Sequence, residues 1–355
     1  MNIVTPLSRV AEIEPLAAAG ASEFYCGILP REWVASFKTA NANRRIFGNL
    51  DSYEDLGTAV TLAHAGGGRM SLVLNAQHYT AEQVVALVDI ARRFRDLGGD
   101  ALIVGDIGLI MALAEALPGF RVHLSSVASC RNSEAAQLFL SLGVRRIILP
   151  RDVTIAEAAA MAVAVPEIEF EVFILNDGCV FEEGVCHTIH LPGKLGGPIC
   201  MDNYQTSYYR RDRRALSSDD QFSLDENEAA YKKWLWYRFS NGFSLTPEGL
   251  PWGPCGLCAI PRLRAAGITA IKIAGREGAT ARKLASLGMV RQTLDRALAG
   301  DNASQVAEFA RGLRRSPEHC ATGHMCYYPE VVLDRSAETS GPSKSASSCA
   351  APMVG

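Results

Sequence analysis

The stretch Met70–Asp106, MSLVLNAQHYTAEQVVALVDIARRFRDLGGDALIVGD, decides the fold. Met70 to Leu74 reads as a short apolar strand closing on Asn75. Ala81 to Leu97 reads as a helix, ended by Gly98-Gly99 before a second strand at Ala101 to Val104. Strand, glycine-terminated helix and strand in this order make a parallel βαβ unit.

The unit recurs in both directions. Upstream, Asn2 to Pro6 reads as a strand, Val10 to Ala19 as a helix ended by Gly20, Ser22 to Cys26 as a strand, and Tyr53 to Ala65 as a helix ended by Gly66-Gly67-Gly68. Downstream come a helix beginning near Leu109, strand Val122 to Leu124, helix Ser133 to Leu142, and strands Ile147 to Leu149 and Glu169 to Ile174. Repetition on this scale predicts an α/β fold, a TIM-like (β/α) barrel or an incomplete one, in preference to an open sheet. Pro192 to about Trp252 breaks the alternation and is rich in Gly, Pro, Tyr, Asp and Arg, which predicts an irregular insertion at about 192–252 over the C-terminal face of the strands. Helix Ala259 to Ala265, strand Ala270 to Ile273 and helices near Ala279 to Leu298 and Ser304 to Arg314 follow. One barrel domain is thus expected over 1–336, with a disordered Ser/Ala/Gly/Pro tail at 337–355.

The 355 residues, 48% hydrophobic, suffice for a large core. A formal net charge of −3, from 35 basic and 38 acidic residues, provides no basic stripe for a phosphate backbone, so bulk nucleic-acid binding is not expected. No apolar run approaches the roughly 18 residues of a membrane span, and the start lacks a signal-peptide pattern. A cytoplasmic protein is predicted.

Polar residues gather just past the strand ends, at Asn75, Asp106, Ser125, Ser126, Arg151, Asp152, Asn176 and Asp177. In a barrel that edge builds the active site. Any one of them taken alone is more simply a helix cap or turn residue.

Ten cysteines in a reducing compartment point to metal ligation rather than to disulfides. Cys179 and Cys186 leave a predicted strand on a loop with Gly178 and Gly184; Cys200 follows Gly196-Gly197-Pro198, and Pro254-Cys255-Gly256-Leu257-Cys258 supplies a CxxC ahead of a helix. Thiolates select zinc, copper(I) or iron–sulfur centres, and one short pair combined with wider spacings favours iron–sulfur over structural zinc. A thioredoxin-like redox pair lacks its surrounding pattern. Cys26, Cys130, Cys320 and Cys326 read as isolated small hydrophobes, and Cys349 falls in the tail.

These residues resemble the U32 proteins, historically called collagenase-like peptidases. In their signature, E-x-F-x-x-G-[SA]-[LIVM]-C-x4-G-x-C, Glu171, Phe173, Cys179, Gly184 and Cys186 occupy matching positions, while Asn176 stands where glycine is usual. Ala19-Gly20-Ala21 through Tyr25-Cys26-Gly27, Leu72 to Asn75, Leu149-Pro150-Arg151-Asp152 and Ile271 to Arg276 resemble further family motifs in the right order, with Ala274 replacing a glutamate. The resemblance covers roughly residues 3 to 300. It implies a (β/α) barrel carrying a [4Fe-4S] cluster, and an oxygen-independent hydroxylation of a small aromatic or nucleobase-type substrate with prephenate as oxygen donor. By resemblance Cys179, Cys186 and Cys200 are the first three ligands and Cys255 the fourth, with Cys258 as alternative.

Asn75, Arg151, Asn176, Lys272 and Arg276 are the candidate substrate-binding residues. Lys272 and Arg276 suit a carboxylate, with Arg151 as a further anchor. An ion pair with acidic neighbours is an equal reading for the first two. Tyr204, Tyr208 and Tyr209 could cover an aromatic substrate. A peptidase is the rival activity, although neither HExxH nor GxSxG occurs; His187 and His190 keep it open. A third reading is a non-catalytic iron–sulfur subunit paired with a second U32 chain. The weak basic character favours a small-molecule substrate over RNA, and no membrane partner is expected.

Overall fold

The computed structural model describes residues 1–37, 42–45, 47–176, 178, 207–242, 246–251, 253–323 and 325–332. Among them the strands are β1 (Asn2–Pro6), β2 (Glu23–Ile28), β3 (Asn49–Leu50), β4 (Arg69–Leu74), β5 (Ala101–Val104), β6 (Val122–Leu124), β7 (Val144–Ile148), β8 (Glu169–Leu175) and β9 (Ala270–Ile273). The helices are α1 (Ile13–Ala18), α2 (Arg31–Phe37), α3 (Tyr53–Ala65), α4 (Ala81–Asp96), α5 (Ile107–Ala116), α6 (Ser133–Ser141), α7 (Ile155–Ala164), α8 (Ser218–Gly242), α9 (Ile260–Ala265), α10 (Thr280–Leu298), α11 (Ala303–Arg314) and α12 (Pro317–Thr322).

The hydrogen-bonded order β1-β9-β8-β7-β6-β5-β4-β2, closed by β1 on β2, is an eight-stranded parallel ring, and the chain is a TIM-like (β/α)8 barrel. The two-residue β3 pairs with the end of β2 at Gly27 and Ile28. Strands buried on both faces read as continuous apolar runs, which is how β5 is written in the sequence. Helix ends follow local chemistry. Thr80 and Gln83 form a capping box at the start of α4, as do Thr154 and Glu157 at α7, while Gly98 ends α4 with φ +86°, a left-handed turn that costs glycine little.

Within the 192–252 stretch, 218–242 forms the 25-residue α8, where the sequence predicts irregular chain. Its opening, Ser218-Asp-Asp-Gln-Phe-Ser-Leu-Asp-Glu-Asn-Glu, carries no apolar stripe, so the helical period is invisible there. Residues 333–355, and with them the expected disordered tail and Cys349, lie outside the described residues. No helix among the described residues is long and apolar enough to cross a membrane.

Candidate functional site

The barrel interior is charged. Arg146 on β7 donates to Glu23 at 2.9 Å and to Glu171 at 3.2 Å, and Lys272 on β9 donates to the other oxygen of Glu171 at 2.8 Å. Burial pushes the Lys272 ammonium below its ordinary value, and Glu171 works against that. The Lys272 Nζ also lies 3.8 Å from the Tyr25 ring centroid, a cation–π contact. The chain Glu23–Arg146–Glu171–Lys272 alternates in sign, so each buried charge meets its opposite. The structure therefore places Lys272 inside the barrel, paired with Glu171, rather than at the mouth.

The C-terminal strand ends form the mouth. Asn75, directly after β4, donates through Nδ2 to Ser125 Oγ at 3.0 Å, and its Oδ1 accepts from the Arg44 amide at 3.4 Å. Arg151, after β7, stacks its guanidinium 3.7 Å from the Phe173 ring centroid. Asn176, directly after β8, has φ +67° and is 2% exposed. Its Nδ2 donates to Ser286 Oγ at 2.8 Å, its Oδ1 accepts from Arg282 at 3.4 Å, and its carbonyl accepts from the Tyr327 hydroxyl. Asparagine tolerates the left-handed region better than other side chains, so it can stand where the family signature has glycine. Asp106 is an N-cap of α5 and Asp152 pairs with Arg131, so for these two the simpler reading holds.

Arg276, just past β9, is 6% exposed. Its Nη2 donates to Asn43 Oδ1 at 2.8 Å and its Nη1 points at Asn49 Oδ1 at 3.4 Å. Among the described residues it forms no salt bridge, and burial lowers its pKa from the ordinary arginine value. A buried guanidinium held by neutral amides is a ready partner for an anion, because only an opposite charge offsets its lost hydration. Gly27 makes the arrangement possible. A Cβ there would lie 2.2 Å from Arg276 Nη1 and 2.1 Å from Asn49 Oδ1. Sequence reasoning missed Asn43 and Asn49; the polar run at 43–45 after the Tyr25-Cys26-Gly27 motif was the available signal.

Cys179, Cys186 and Cys200 lie outside the described residues, as do His187, His190 and Tyr204. Tyr209 is 87% exposed. Cys255 sits in a short extended piece next to the end of β8. The Asn176 amide donates to the Pro254 carbonyl at 2.9 Å and the Gly256 amide to the Ile174 carbonyl at 2.8 Å. On the other side the Cys255 amide donates to Met325 and its carbonyl accepts from Tyr327, at 2.8 and 2.9 Å. Cys258 opens toward α11, its thiol 3.7 Å from the Ala307 carbonyl. Cys320 and Cys326, which the sequence leaves as isolated hydrophobes, join Cys255 and Cys258 around one cavity. Cys26 and Cys130 are buried apart from them. Burial raises the thiols of Cys26 and Cys258 to about 12 and that of Cys130 to about 11.

Residues 8–334 match the profile of peptidase family U32. The chain is 28% identical over 185 residues to tRNA hydroxylation protein P of Escherichia coli K12, covering 52% of this chain and 38% of that one. It is 28% identical over 183 residues to tRNA hydroxylation protein P2 of Bacillus subtilis 168, covering 51% and 53%, and 25% identical over 234 residues to protein P1 of the same organism, covering 64% and 50%. These alignments take in about half or less of the relatives' own length. Among solved structures, the U32 peptidase Mk0906 superposes on 49% of this chain and 68% of its own, with a TM-score of 0.40 and 14% identity.

Proposed function

The chain belongs to peptidase family U32, and on that footing we propose that it takes part in an oxygen-independent hydroxylation in which Arg276 anchors a carboxylate-bearing oxygen donor such as prephenate at the barrel mouth. The buried Arg276 guanidinium among neutral amides is the observation that carries this reading. Arg151, stacked on Phe173, is the second proposed contact, suited to a flat anionic or aromatic group, and Asn75 and Asn176 are proposed to line the same rim. Lys272, its charge matched by Glu171, is proposed to act from below the substrate as a fixed cation of the interior.

The relatives described above are named for tRNA hydroxylation, which moves the proposed acceptor from a free small molecule toward a nucleobase of tRNA. Cys179, Cys186 and Cys200 are the proposed holders of a [4Fe-4S] cluster, whose fourth thiolate the family resemblance alone would take from Cys255, or alternatively Cys258. The donor chemistry suits the group, since thiolates are soft ligands and Pro254 is hydrogen-bonded at Asn176, where the segment carrying the three loop cysteines begins. When bound, such a cluster supplies single electrons at a potential set by its surroundings.

Peptidase chemistry draws less support. A nucleophilic cysteine needs a lowered pKa, whereas the thiols of Cys26, Cys130, Cys258, Cys320 and Cys326 are all pushed upward by burial. Two numbered relatives in Bacillus subtilis keep pairing with a second U32 chain as the second reading, tested by anaerobic co-purification.

The decisive experiment compares nucleosides of tRNA and small metabolites by mass spectrometry in cells grown without oxygen. Cells carrying the chain, cells lacking it, and cells carrying Arg276→Ala or Arg276→Lys are compared. A hydroxylated nucleoside present only with the intact chain, lost in Arg276→Ala and poorly restored by Arg276→Lys, is expected. An unchanged nucleoside profile beside a changed metabolite would remove tRNA as substrate. Full product in Arg276→Ala would remove the anchor.

A further inference from the structure

Six free cysteines fall among the described residues, and four of them ring a single cavity of about 40 Å³. Protein interiors are close-packed, and a water needs only about 10–15 Å³, so this space exceeds the fault left by an imperfectly packed small side chain. Cys255 and Cys258 reach it from the CxxC ahead of α9, Cys320 from α12 and Cys326 from the segment that pairs with Cys255. The thiols lie within electrostatic range of one another in every pairing. Burial first, then the neighbouring sulfurs, push Cys258 and Cys326 up to about 12, and Cys320 moves the same way. Arg311 and Arg314, on the same cavity wall, act oppositely and favour the thiolates.

The spacing speaks against a single ion. Among the described residues no three His, Cys, Asp or Glu side chains are placed to share one. Zinc draws four sulfurs to one point at about 2.3 Å, whereas in a [4Fe-4S] cluster each thiolate binds a different iron and the sulfurs stand apart around a central space. We propose that Cys255, Cys258, Cys320 and Cys326 hold an iron–sulfur cluster of their own, separate from the loop cysteines 179, 186 and 200. With a cluster bound, the guanidiniums of Arg311 and Arg314 on the cavity wall offset the thiolate charge. The centre ties α12 and residues 325–327 to the barrel. The assignment rests on the cavity rather than on the hydroxylase reading, and it withdraws Cys255 and Cys258 from the loop set.

The test is iron and acid-labile sulfide analysis, with Mössbauer spectra, on the full chain purified without oxygen. Cys320→Ser/Cys326→Ser is expected to lose about half of the iron and sulfide and one spectral component, and Cys179→Ser/Cys186→Ser the other half. Ala310→Leu, which fills the cavity and keeps every thiol, is expected to match the first double variant. Anaerobic alkylation of the unmutated chain adds a readout independent of variant folding: Cys320 and Cys326 gain label once iron is chelated. Unchanged iron in Cys320→Ser/Cys326→Ser, stoichiometric zinc in place of iron, or labelling unaffected by chelation would each overturn the assignment. Absence of any hydroxylated product from cells carrying the unmutated chain, with both iron components present, would count against the hydroxylase reading alone.

Discussion

Gly27 has no side chain because the Arg276 guanidinium and the Asn49 amide occupy the place where one would project. Gly27→Ala is therefore expected to displace Arg276 rather than to open the barrel. Apparent donor affinity should fall by tenfold or more, about 1.4 kcal/mol, with a melting temperature close to the parent's; unaltered affinity would show that the guanidinium tolerates the methyl group. The sequence left carboxylate anchor and ion pair equally open for Arg276, and did not mark its two asparagine partners. Their segment is irregular and lies far from residue 276 in the chain, and no periodicity brings it there. For Lys272 the sequence left anchor and ion pair equally open. Only the strand register, which sets Phe173 opposite Lys272 and Ala270 opposite Glu171, puts the two side chains together.

At the scale of elements, the 254–256 piece lies between the end of β8 and residues 325–327, hydrogen-bonded to both. Gly256 sits at its tightest point, where a Cβ would come within 2.8 Å of the Tyr328 ring. Tyr328 in turn donates to the Phe173 carbonyl at 2.9 Å. Gly256→Ala should cost about 1–3 kcal/mol by overpacking, read as a lowered denaturation midpoint with faster proteolysis after α11. The repeating βαβ units were legible because each encloses its own signals: apolar strand, capped helix, glycine stop. β1, β5, β6 and β9 fall where the sequence puts them. α2, α8 and α12 were not legible, being short or lacking an apolar stripe. The cysteine cavity was hidden for a related reason, since its two pairs come from separate parts of the chain joined by main-chain pairing that composition does not encode.

For the whole molecule, closure of the ring brings distant charges together. Lys283 on α10 holds Glu12, after β1, at 2.8 and 2.9 Å, with side chains 2% and 3% exposed. Burial raises the Glu12 carboxyl, but Lys283, the Ser8 amide and Thr280 together carry it below its ordinary 4.5. A carboxyl lowered in the folded state stabilises fully above its unfolded value, and the contribution fades as pH falls from about 4.5 through the folded value. Glu12→Gln should then cost about 3–5 kcal/mol at pH 7, where Lys283 is left buried without its counter-charge, and should flatten the acid limb of stability against pH. Chemical denaturation at pH 3 to 7 measures both; parallel curves for the two proteins would refute the linkage.

The hydroxyl of Tyr327 reaches back to the carbonyl of Asn176, across a ring that needs nothing beyond β9 to close. During synthesis the barrel can accordingly form on the ribosome while this wall of its mouth is still missing. The last lock on the exit of β8 is set only after residue 327 has emerged, so nascent chains arrested between β9 and that point should be barrels with an unfinished rim.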